Sequence, residues 1–138
     1  MTPRGPVVID TEVLAASLIP GSDLSARAEP LIVGRPVFIS IQTAAELRYG
    51  AKLRDWGSAH MRRLEAHLAF AEIVHSGLDL IEVYAQLRVD CQRAGAALAQ
   101  REHDADRWIA ATAVRLGLPL VSNDGIFKNA PGLTRLGT

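Results

Sequence analysis

DRWIAATAVRLGLPLVSNDGIF, residues 106–127, places a helical pattern directly before a short apolar run. Ile109 and Ala113 recur at helical spacing, and Gly117 suits the position just past a helix C-terminus. The PLVS that follows predicts a buried strand, and the SNDG after it predicts a turn. We therefore expect a helix over residues 106–116 that leads into a strand, an arrangement typical of α/β domains.

Other short apolar runs predict the rest of a sheet. They are VVI before Asp10, VFIS after Pro36, EIVH at residues 72–75 and, as a fifth strand, LTRL at residues 133–136. Because these runs alternate with helical patterns, we expect a short, mostly parallel sheet covered by helices on both faces. We place residues 1–138 in a single domain of this α/β class.

Helical patterns fill the intervals between the predicted strands. Two short helices are expected over about 12–18, ended by Pro20-Gly21, and over about 22–31. Three longer helices follow. The first starts at Ser40 or Ile41, with core residues Ala44, Leu47 and Ala51, and the second is capped by Ser58, with core residues Met61, Leu64 and Leu68. The third starts at Asp79, with core residues Ile81, Tyr84, Leu87 and Val89.

Four acidic residues lie near strand ends and helix starts. Asp10 follows VVI, Asp124 follows PLVS, Glu46 lies about two helical turns beyond VFIS, and Asp106 begins a helix. Ligands of parallel sheets bind beyond the carboxyl ends of the strands, so we expect these carboxylates to face one edge. Clustered carboxylates repel one another unless a cation neutralises them, and oxygen ligands favour Mg²⁺ or Mn²⁺. Such ions indicate chemistry on phosphates.

Each acid also has an ordinary structural explanation. Asp10 is a favoured N-cap residue, and Asp104 competes with Asp106 for the start of its helix. Thr43 and Glu46 fit a capping box. A helix that starts several residues before Thr43 would instead put Glu46 past the first turn, where its carboxylate needs a partner. Singly these are weak signals, and their combination in this order is what predicts a site.

Composition limits the class of protein. The 138 residues are 49% hydrophobic, which is enough for one domain with a core. Cys91 is the only cysteine, so no intrachain disulfide is possible, and we expect it to be a small apolar filler. That fits a reducing cytoplasm. We expect no signal peptide and no membrane span, because no run approaches about 18 apolar residues.

Charge is balanced over the chain but not along it. Fifteen basic and fifteen acidic residues cancel, which argues against general binding of polyanions. One segment nevertheless concentrates basic side chains, and these are Arg48, Lys52, Arg54, Arg62 and Arg63. They form either a phosphate-binding stripe for RNA or a solvated helix face, and both interpretations stay open.

At this point the chain resembles a PIN domain of the VapC toxin type. VIDTEVLAASL, SIQTAAELRYGA and DRWIAATAVRLGLPLVSNDGIF carry the resemblance, which covers nearly the whole chain. It implies a three-layer α/β/α fold and a Mg²⁺- or Mn²⁺-dependent endoribonuclease, a hydrolase in which metal-activated water cleaves RNA. The acids that it makes catalytic and metal-binding are Asp10, Glu46, Asp106 and Asp124, with Thr11 and Ser122 supporting them.

The resemblance also implies partners. A toxin of this type is held by a VapB-like antitoxin and forms a homodimer in the cytoplasm. We expect Val13, Leu14 and Leu18, and the segment around Met61 and Leu64, to supply grooves for a partner helix. Two features depart from the family pattern: Glu12 adds a negative charge where Ser or Asn is common, and Asp104 leaves open which neighbouring acid is the direct ligand.

Other functions fit the sequence less well. A haloacid-dehalogenase-like phosphatase also begins with Asp after a buried strand, but the second Asp expected two residues on is Glu12 here. A non-catalytic PIN-fold binding protein is favoured by loss of one acid, and all four are present. The histidines, which are His60, His67, His75 and His103, lack zinc spacing, so neither zinc nor paired-histidine catalysis is expected.

Overall fold

A parallel sheet of five short strands organises residues 4–138, which are the residues that the computed structural model describes. The strand order is β3-β2-β1-β4-β5, and every neighbouring pair is parallel. The strands are β1 (Val7–Ile9), β2 (Val37–Ser40), β3 (Glu72–Val74), β4 (Leu120–Ser122) and β5 (Arg135–Gly137). The prediction of a mostly parallel sheet is confirmed.

Six α-helices connect the strands. Their bounds are α1 (Thr11–Ala16), α2 (Asp23–Ile32), α3 (Ile41–Leu53), α4 (Ser58–Phe70), α5 (Leu78–Ala94) and α6 (Asp104–Leu116). Short 3₁₀ turns occupy Ala97–Ala99, Arg101–His103 and Gly125–Phe127. Among residues 4–138, no helix has both the length and the apolar character that crossing a bilayer requires.

Side chains of the central strand point alternately to two apolar layers. Val7 and Ile9 pack against α1 to α4 on one face, while Val8 packs against α5 and α6 on the other. Both faces are therefore covered, which gives the expected three-layer α/β/α arrangement. Cys91 is fully buried in the second layer, and its role as an apolar filler is confirmed.

Several predicted details were wrong at the helices. Gly57, not Ser58, is the N-cap residue of α4, and Ser58 is its first helical residue. Helix α5 starts at Leu78 rather than Asp79. Ile81 and Val89 lie on its outer side, with 51% and 38% of their surfaces exposed. Leu87 is buried and Tyr84 is half-buried, as predicted, and Leu80 and Cys91 complete the buried stripe that faces α6.

Two helices begin with no connecting loop. Asp10 follows β1 and is the N-cap residue of α1, and Ser40 ends β2 and is the N-cap residue of α3. The carboxyl ends of β1, β2 and β4 are neighbours because the strands are parallel and adjacent. This edge of the sheet is where Asp10, Ser40 and Ser122 stand side by side.

Candidate active site

Asp10 lies buried between a helix N-terminus and a strand end. One carboxylate oxygen, Oδ1, accepts the backbone N–H of Val13 at 2.9 Å, which caps α1. The other, Oδ2, accepts the hydroxyl of Ser122 from the end of β4. Only 4% of the residue is exposed. The ordinary explanation as a cap is therefore correct, and it leaves the carboxylate at the carboxyl edge of the sheet.

Burial makes the charged form of Asp10 unfavourable. Loss of hydration raises its pKa from 3.8 to about 6, although the bonds from Ser122 and Val13 oppose the rise. The negative charges of Glu12 and Asp124 add to it. Glu12, which departs from the family pattern, thus raises the pKa of the Asp10 carboxylate. In the absence of a cation, an ionised Asp10 destabilises the fold.

Asp106 lies in the first turn of α6, two residues inside the helix start. Partial burial raises its pKa, and the charges of Asp124 and Glu46 raise it further. His103 opposes the rise, with Nδ1 3.4 Å from Oδ2 of Asp106. Asp124 thus raises the pKa of both Asp10 and Asp106, and Glu46 raises that of Asp106, so pairwise repulsion links the four predicted acids.

Glu46 is held past the first turn of α3. The helix begins at Ile41, and its cap bond runs from the backbone N–H of Gln42 to the hydroxyl of Ser40 at 3.1 Å. The capping box with Thr43 is therefore absent from this helix start. Instead, Nε2 of Gln42 donates to the carboxylate of Glu46 at 2.9 Å. This bond fixes Glu46 on the side of α3 from which its charge reaches Asp106.

Asp124 and the supporting hydroxyls complete the edge. Asp124 accepts the N–H of Ile126 at 2.9 Å, as a turn residue does, and its own N–H donates to Ser122 at 3.0 Å. Ser122 therefore links Asp10 to the Asp124 turn. Thr11 donates to the hydroxyl of Thr43 at 3.1 Å and so joins α1 to α3. Among the hydrogen bonds of residues 4–138, none joins the Thr11 hydroxyl to the Asp10 carboxylate, so the supporting role of Thr11 stays a prediction.

Sequence reasoning missed Arg107. Its guanidinium is 1% exposed and donates to the carbonyls of Leu98 at 3.0 Å and Gln100 at 2.6 Å. It also pairs with Asp104 at 3.3 Å. These bonds fasten the 3₁₀ turns to the start of α6, beside Asp106. The signal was available, because Arg107 precedes Ala110 by three residues and therefore shares its buried face.

The contacts of Asp104 separate it from Asp106. Asp104 accepts from Arg107 and from the hydroxyl of Tyr84, whose ring stacks on Trp108 with centroids 3.9 Å apart. Asp124 and Glu46, by contrast, raise the pKa of Asp106. Asp104 is thus engaged in holding α5 to α6.

The basic side chains of the Arg48–Arg63 segment differ in their partners. Arg48 forms a two-point ion pair with Glu65, which joins α3 to α4 and neutralises the charge. Arg63 donates to the carbonyl of Leu18 at 2.8 Å. Among the ion pairs of residues 4–138, none includes Lys52, Arg54 or Arg62. Binding of RNA by this segment stays a prediction.

The chemistry of the donors fits a hard divalent cation. Asp10, Glu46, Asp106 and Asp124 offer only carboxylate oxygens, the ligands that Mg²⁺ and Mn²⁺ favour. Their mutual repulsion is what such an ion relieves. In the part of the chain that the structure describes, no three acidic, His or Cys side chains stand close enough to hold an ion as they are now arranged. Metal binding by this set stays a prediction.

The fold and this edge define a class of protein. Residues 7–133 match the family described as the PIN domain, which is more than nine-tenths of the chain. The chain belongs to the PIN domain family. No curated protein sequence matches it significantly.

Solved structures of similar fold narrow the class. VapBC2 from Rickettsia felis, bound to a DNA fragment from its promoter, is similar with a TM-score of 0.79 and 22% identity, over 96% of this chain and 98% of that one. FitAcB from Neisseria gonorrhoeae is similar with a TM-score of 0.73 and 27% identity, over 95% of this chain and 96% of that one. VapBC-5 from Mycobacterium tuberculosis is a member of the VapBC family of toxin–antitoxin systems. It is similar with a TM-score of 0.68 and 27% identity, over 96% of this chain and 98% of that one. These similarities support a PIN domain of the VapC type.

Proposed function

We propose that the protein is a metal-dependent endoribonuclease that acts as the toxin of a toxin–antitoxin pair. The observation that carries the proposal is the acidic edge, where repulsion links Asp10 to Asp124, Asp124 to Asp106 and Asp106 to Glu46. Repulsion among these acids destabilises the metal-free protein, and such a cost is typical of groups that are kept for a function. Membership of the PIN domain family and the VapBC neighbours support the same assignment.

The cofactor in this proposal is Mg²⁺ or Mn²⁺, held by Asp10, Glu46, Asp106 and Asp124. When bound, the ion would lower the pKa of a water molecule and stabilise the charge that develops on the phosphate. Ser122 and the start of α1 hold the carboxylate of Asp10 in place for this task. Gln42 does the same for Glu46.

Other residues of the site keep its geometry. Arg107 fastens the turn that carries His103 to the start of α6. The Thr11–Thr43 bond joins α1, whose N-cap residue is Asp10, to α3, which carries Glu46 in its second turn. We therefore expect the acids to approach an ion by small side-chain movements on a fixed backbone, since every one lies on or beside a regular element.

A small protein antitoxin similar to VapB is the proposed partner. An apolar groove of about 510 Å³ lies between α1, α2 and α4, and Val13 and Leu14 line it, whereas Leu18, which was predicted with them, lines a separate cleft. Its outer wall includes Phe70, with 80% of its surface exposed. Leu64, by contrast, is fully buried and supplies no groove surface, so the prediction for that segment was wrong there. An amphipathic helix of the partner would cover Phe70.

Cleavage of RNA by the purified protein tests the nuclease. The protein, freed of any partner, is incubated with structured and unstructured RNA in Mg²⁺, Mn²⁺ or EDTA. We expect cleavage with either metal and none with EDTA, and none with Asp10→Asn at matched purity. Full activity of Asp10→Asn contradicts the catalytic role.

The same preparation separates the other candidates. Turnover of a generic phosphomonoester would favour a phosphatase. Binding of RNA or of a protein without metal-dependent cleavage would favour a non-catalytic PIN-fold protein. Co-expression with the neighbouring small open reading frame, followed by purification, tests the partner and the homodimer. A chain that is harmless alone, monomeric and without a captured partner would overturn the toxin assignment.

A further inference from the structure

A second cleft opens beside the acidic edge. It has a volume of about 450 Å³ and lies between the end of α1, the outer side of α3 and the start of α4. Glu46 lines one part of it, and the remaining polar and aromatic lining is Arg54, Trp56, His60 and Arg63. The cleft therefore shares one side chain with the proposed active site and differs from it in charge.

Two rings supply the aromatic surface of this cleft. The Trp56 ring is half-buried against the core, and its backbone N–H donates to the carbonyl of Ala51 at 3.1 Å. His60, one turn into α4, lies with its ring centroid 5.3 Å from that of Trp56. The rings are tilted by 49° rather than stacked on each other. Trp56 is thus a fixed aromatic surface at the mouth of a cleft, available to a flat ligand.

Two guanidinium groups supply positive charge. Arg54 is exposed at the C-terminus of α3, and within residues 4–138 it has no acidic partner. Arg63 uses one N–H for the carbonyl of Leu18, an uncharged acceptor, so it keeps its full charge. Arg48 differs from both, because Glu65 neutralises it and it does not line the cleft. The two arginines outnumber the one carboxylate of the lining, Glu46, so the side of the cleft that carries them is positively charged.

We propose that this cleft is a nucleotide subsite for single-stranded RNA, in which a base stacks on Trp56 and a phosphate binds Arg54 and Arg63. The inference rests on the proposed function and specifies where the strand lies next to the bond that is cut. Guanidinium groups bind phosphate through paired N–H donors, and aromatic rings stack on bases of any sequence. The volume lies within the range of roughly 300–1,000 Å³ that holds small ligands.

The position of Glu46 sets how the bound nucleotide is oriented in the cleft. Its carboxylate repels a bare phosphate, so the phosphate of the bound nucleotide lies toward Arg54 and Arg63, away from the acidic edge. The next phosphate along the strand then reaches the acids. Bases of a duplex stay stacked inside the helix and cannot enter such a cleft, so the subsite selects unpaired RNA.

The lining favours RNA over a protein helix as the occupant. The groove between α1, α2 and α4 is mostly apolar, which suits an amphipathic helix. The Trp56 cleft also has apolar walls, which include Leu18, Ile19 and Leu47, and it adds two cations and two aromatic rings that suit a phosphate with its base. Binding of the protein partner at Trp56 is the competing outcome in the test.

Binding is measured by fluorescence anisotropy with a labelled ten-nucleotide single strand and the matching duplex, in EDTA so that no cleavage occurs. We expect Trp56→Leu to weaken single-strand binding roughly 5- to 100-fold, as loss of one base stack does, and Trp56→Phe to restore most of it. Arg54→Gln should lower the salt slope by about one. The matched controls are Tyr49→Leu, an exposed ring outside the cleft, and Arg93→Gln, an exposed cation on α5.

Each outcome decides the subsite. Circular dichroism first tests whether each variant is folded. If Trp56→Leu is unfolded, Trp56→Phe and Arg54→Gln provide the comparison. If wild type cleaves RNA while Trp56→Leu and Arg54→Gln bind like the controls, the subsite is wrong and the nuclease stands. If those variants lose the captured protein partner but keep RNA affinity, the cleft binds protein and the subsite is overturned. If wild type neither binds nor cleaves RNA, the proposed function fails first.

Discussion

Asp10 shows how one carboxylate serves the fold and the site with opposite effects. Its bond to the N–H of Val13 stabilises the start of α1, which an uncharged acceptor also provides. Its negative charge is disfavoured by burial, which raises the pKa to about 6. The cap needs only the oxygen, whereas a metal site needs the charge. A substitution that keeps the oxygen and removes the charge separates the two.

The first prediction is that Asp10→Asn stabilises the metal-free protein at neutral pH. A folded pKa of about 6 against 3.8 unfolded means that the folded state holds its proton longer, so wild-type stability falls as pH rises between these values and stays low above them. The variant lacks that fall, since asparagine does not ionise. The gain at pH 7.5 is at most about 3 kcal/mol.

Urea unfolding in EDTA at pH 3.5 and pH 7.5 measures this difference. Glu82→Gln, an exposed acid on α5, is the control and should change stability little at either pH. Equal free energies of unfolding for wild type and Asp10→Asn at pH 7.5 would mean that the Asp10 charge is already compensated in the fold.

At the scale of elements, Arg107 joins α6 to the turns before it. The second prediction is that Arg107→Met lowers the free energy of unfolding by about 2–4 kcal/mol, because the carbonyls of Leu98 and Gln100 lose buried donors. Arg93→Met, an exposed arginine on α5, should have an effect below about 0.5 kcal/mol. Hydrogen exchange should also quicken over residues 97–103 in the Arg107 variant alone. Unchanged exchange there would show that other contacts hold these turns.

Strands and helices followed from the sequence where one pattern was possible. The runs VVI, VFIS and PLVS are apolar at every core position, because β1, β2 and β4 are covered on both faces. Helix α5 carries two apolar stripes, one with Leu80 and one with Ile81. Only contact with α6 decides between them, and that contact joins distant parts of the chain. The sequence therefore predicted the helix and part of its buried face, Tyr84 and Leu87, but wrongly placed Ile81 and Val89 there.

The candidate site divides in the same way. Asp10, Asp106 and Asp124 were predicted because each stands next to a predicted strand end or helix start, which is local information, and Glu46 because it lies on the helix that directly follows a predicted strand. The neutralisation of Arg48 by Glu65 and the bond from Thr11 to Thr43 were not found, because each joins residues far apart in sequence. Whether residues 1–138 form one domain, where the protein resides in the cell and which ion it takes stay predictions.

At the scale of the molecule, the acidic edge should make stability depend on divalent cations. The third prediction is that Mg²⁺ or Mn²⁺ raises the melting temperature of the wild-type protein, because an ion that binds only the folded state stabilises it by RT ln(1 + [ion]/Kd). Asp10→Asn and Asp106→Asn should lose most of this shift, and Glu82→Gln should keep it. Thermal melts with increasing ion concentration measure it without any nuclease assay. An equal shift in all four proteins would place the ions elsewhere.

The apolar groove should decide partner binding independently of the acidic edge. The fourth prediction is that Phe70→Ser abolishes capture of the co-expressed antitoxin, because the ring lies 80% exposed on the groove wall. Leu78→Ser removes a residue with 83% exposure on the opposite layer and should leave capture intact. Pull-down from co-expressing cells compares them. Capture by both variants would place the partner on another surface.

The pairing of β1 with β4 also has a consequence for the order in which the site is made. Ser122, which bonds the Asp10 carboxylate, is synthesised 112 residues after Asp10. Until β4 has left the ribosome, the central strand lacks one of its two neighbours, and the edge lacks Ser122 and Asp124. Domains fold as units while they are made, so a nascent chain that has not reached this point holds its acids unassembled. If the proposed function holds, translation would therefore deliver the nuclease activity all at once, after the segment that contains β4 emerges.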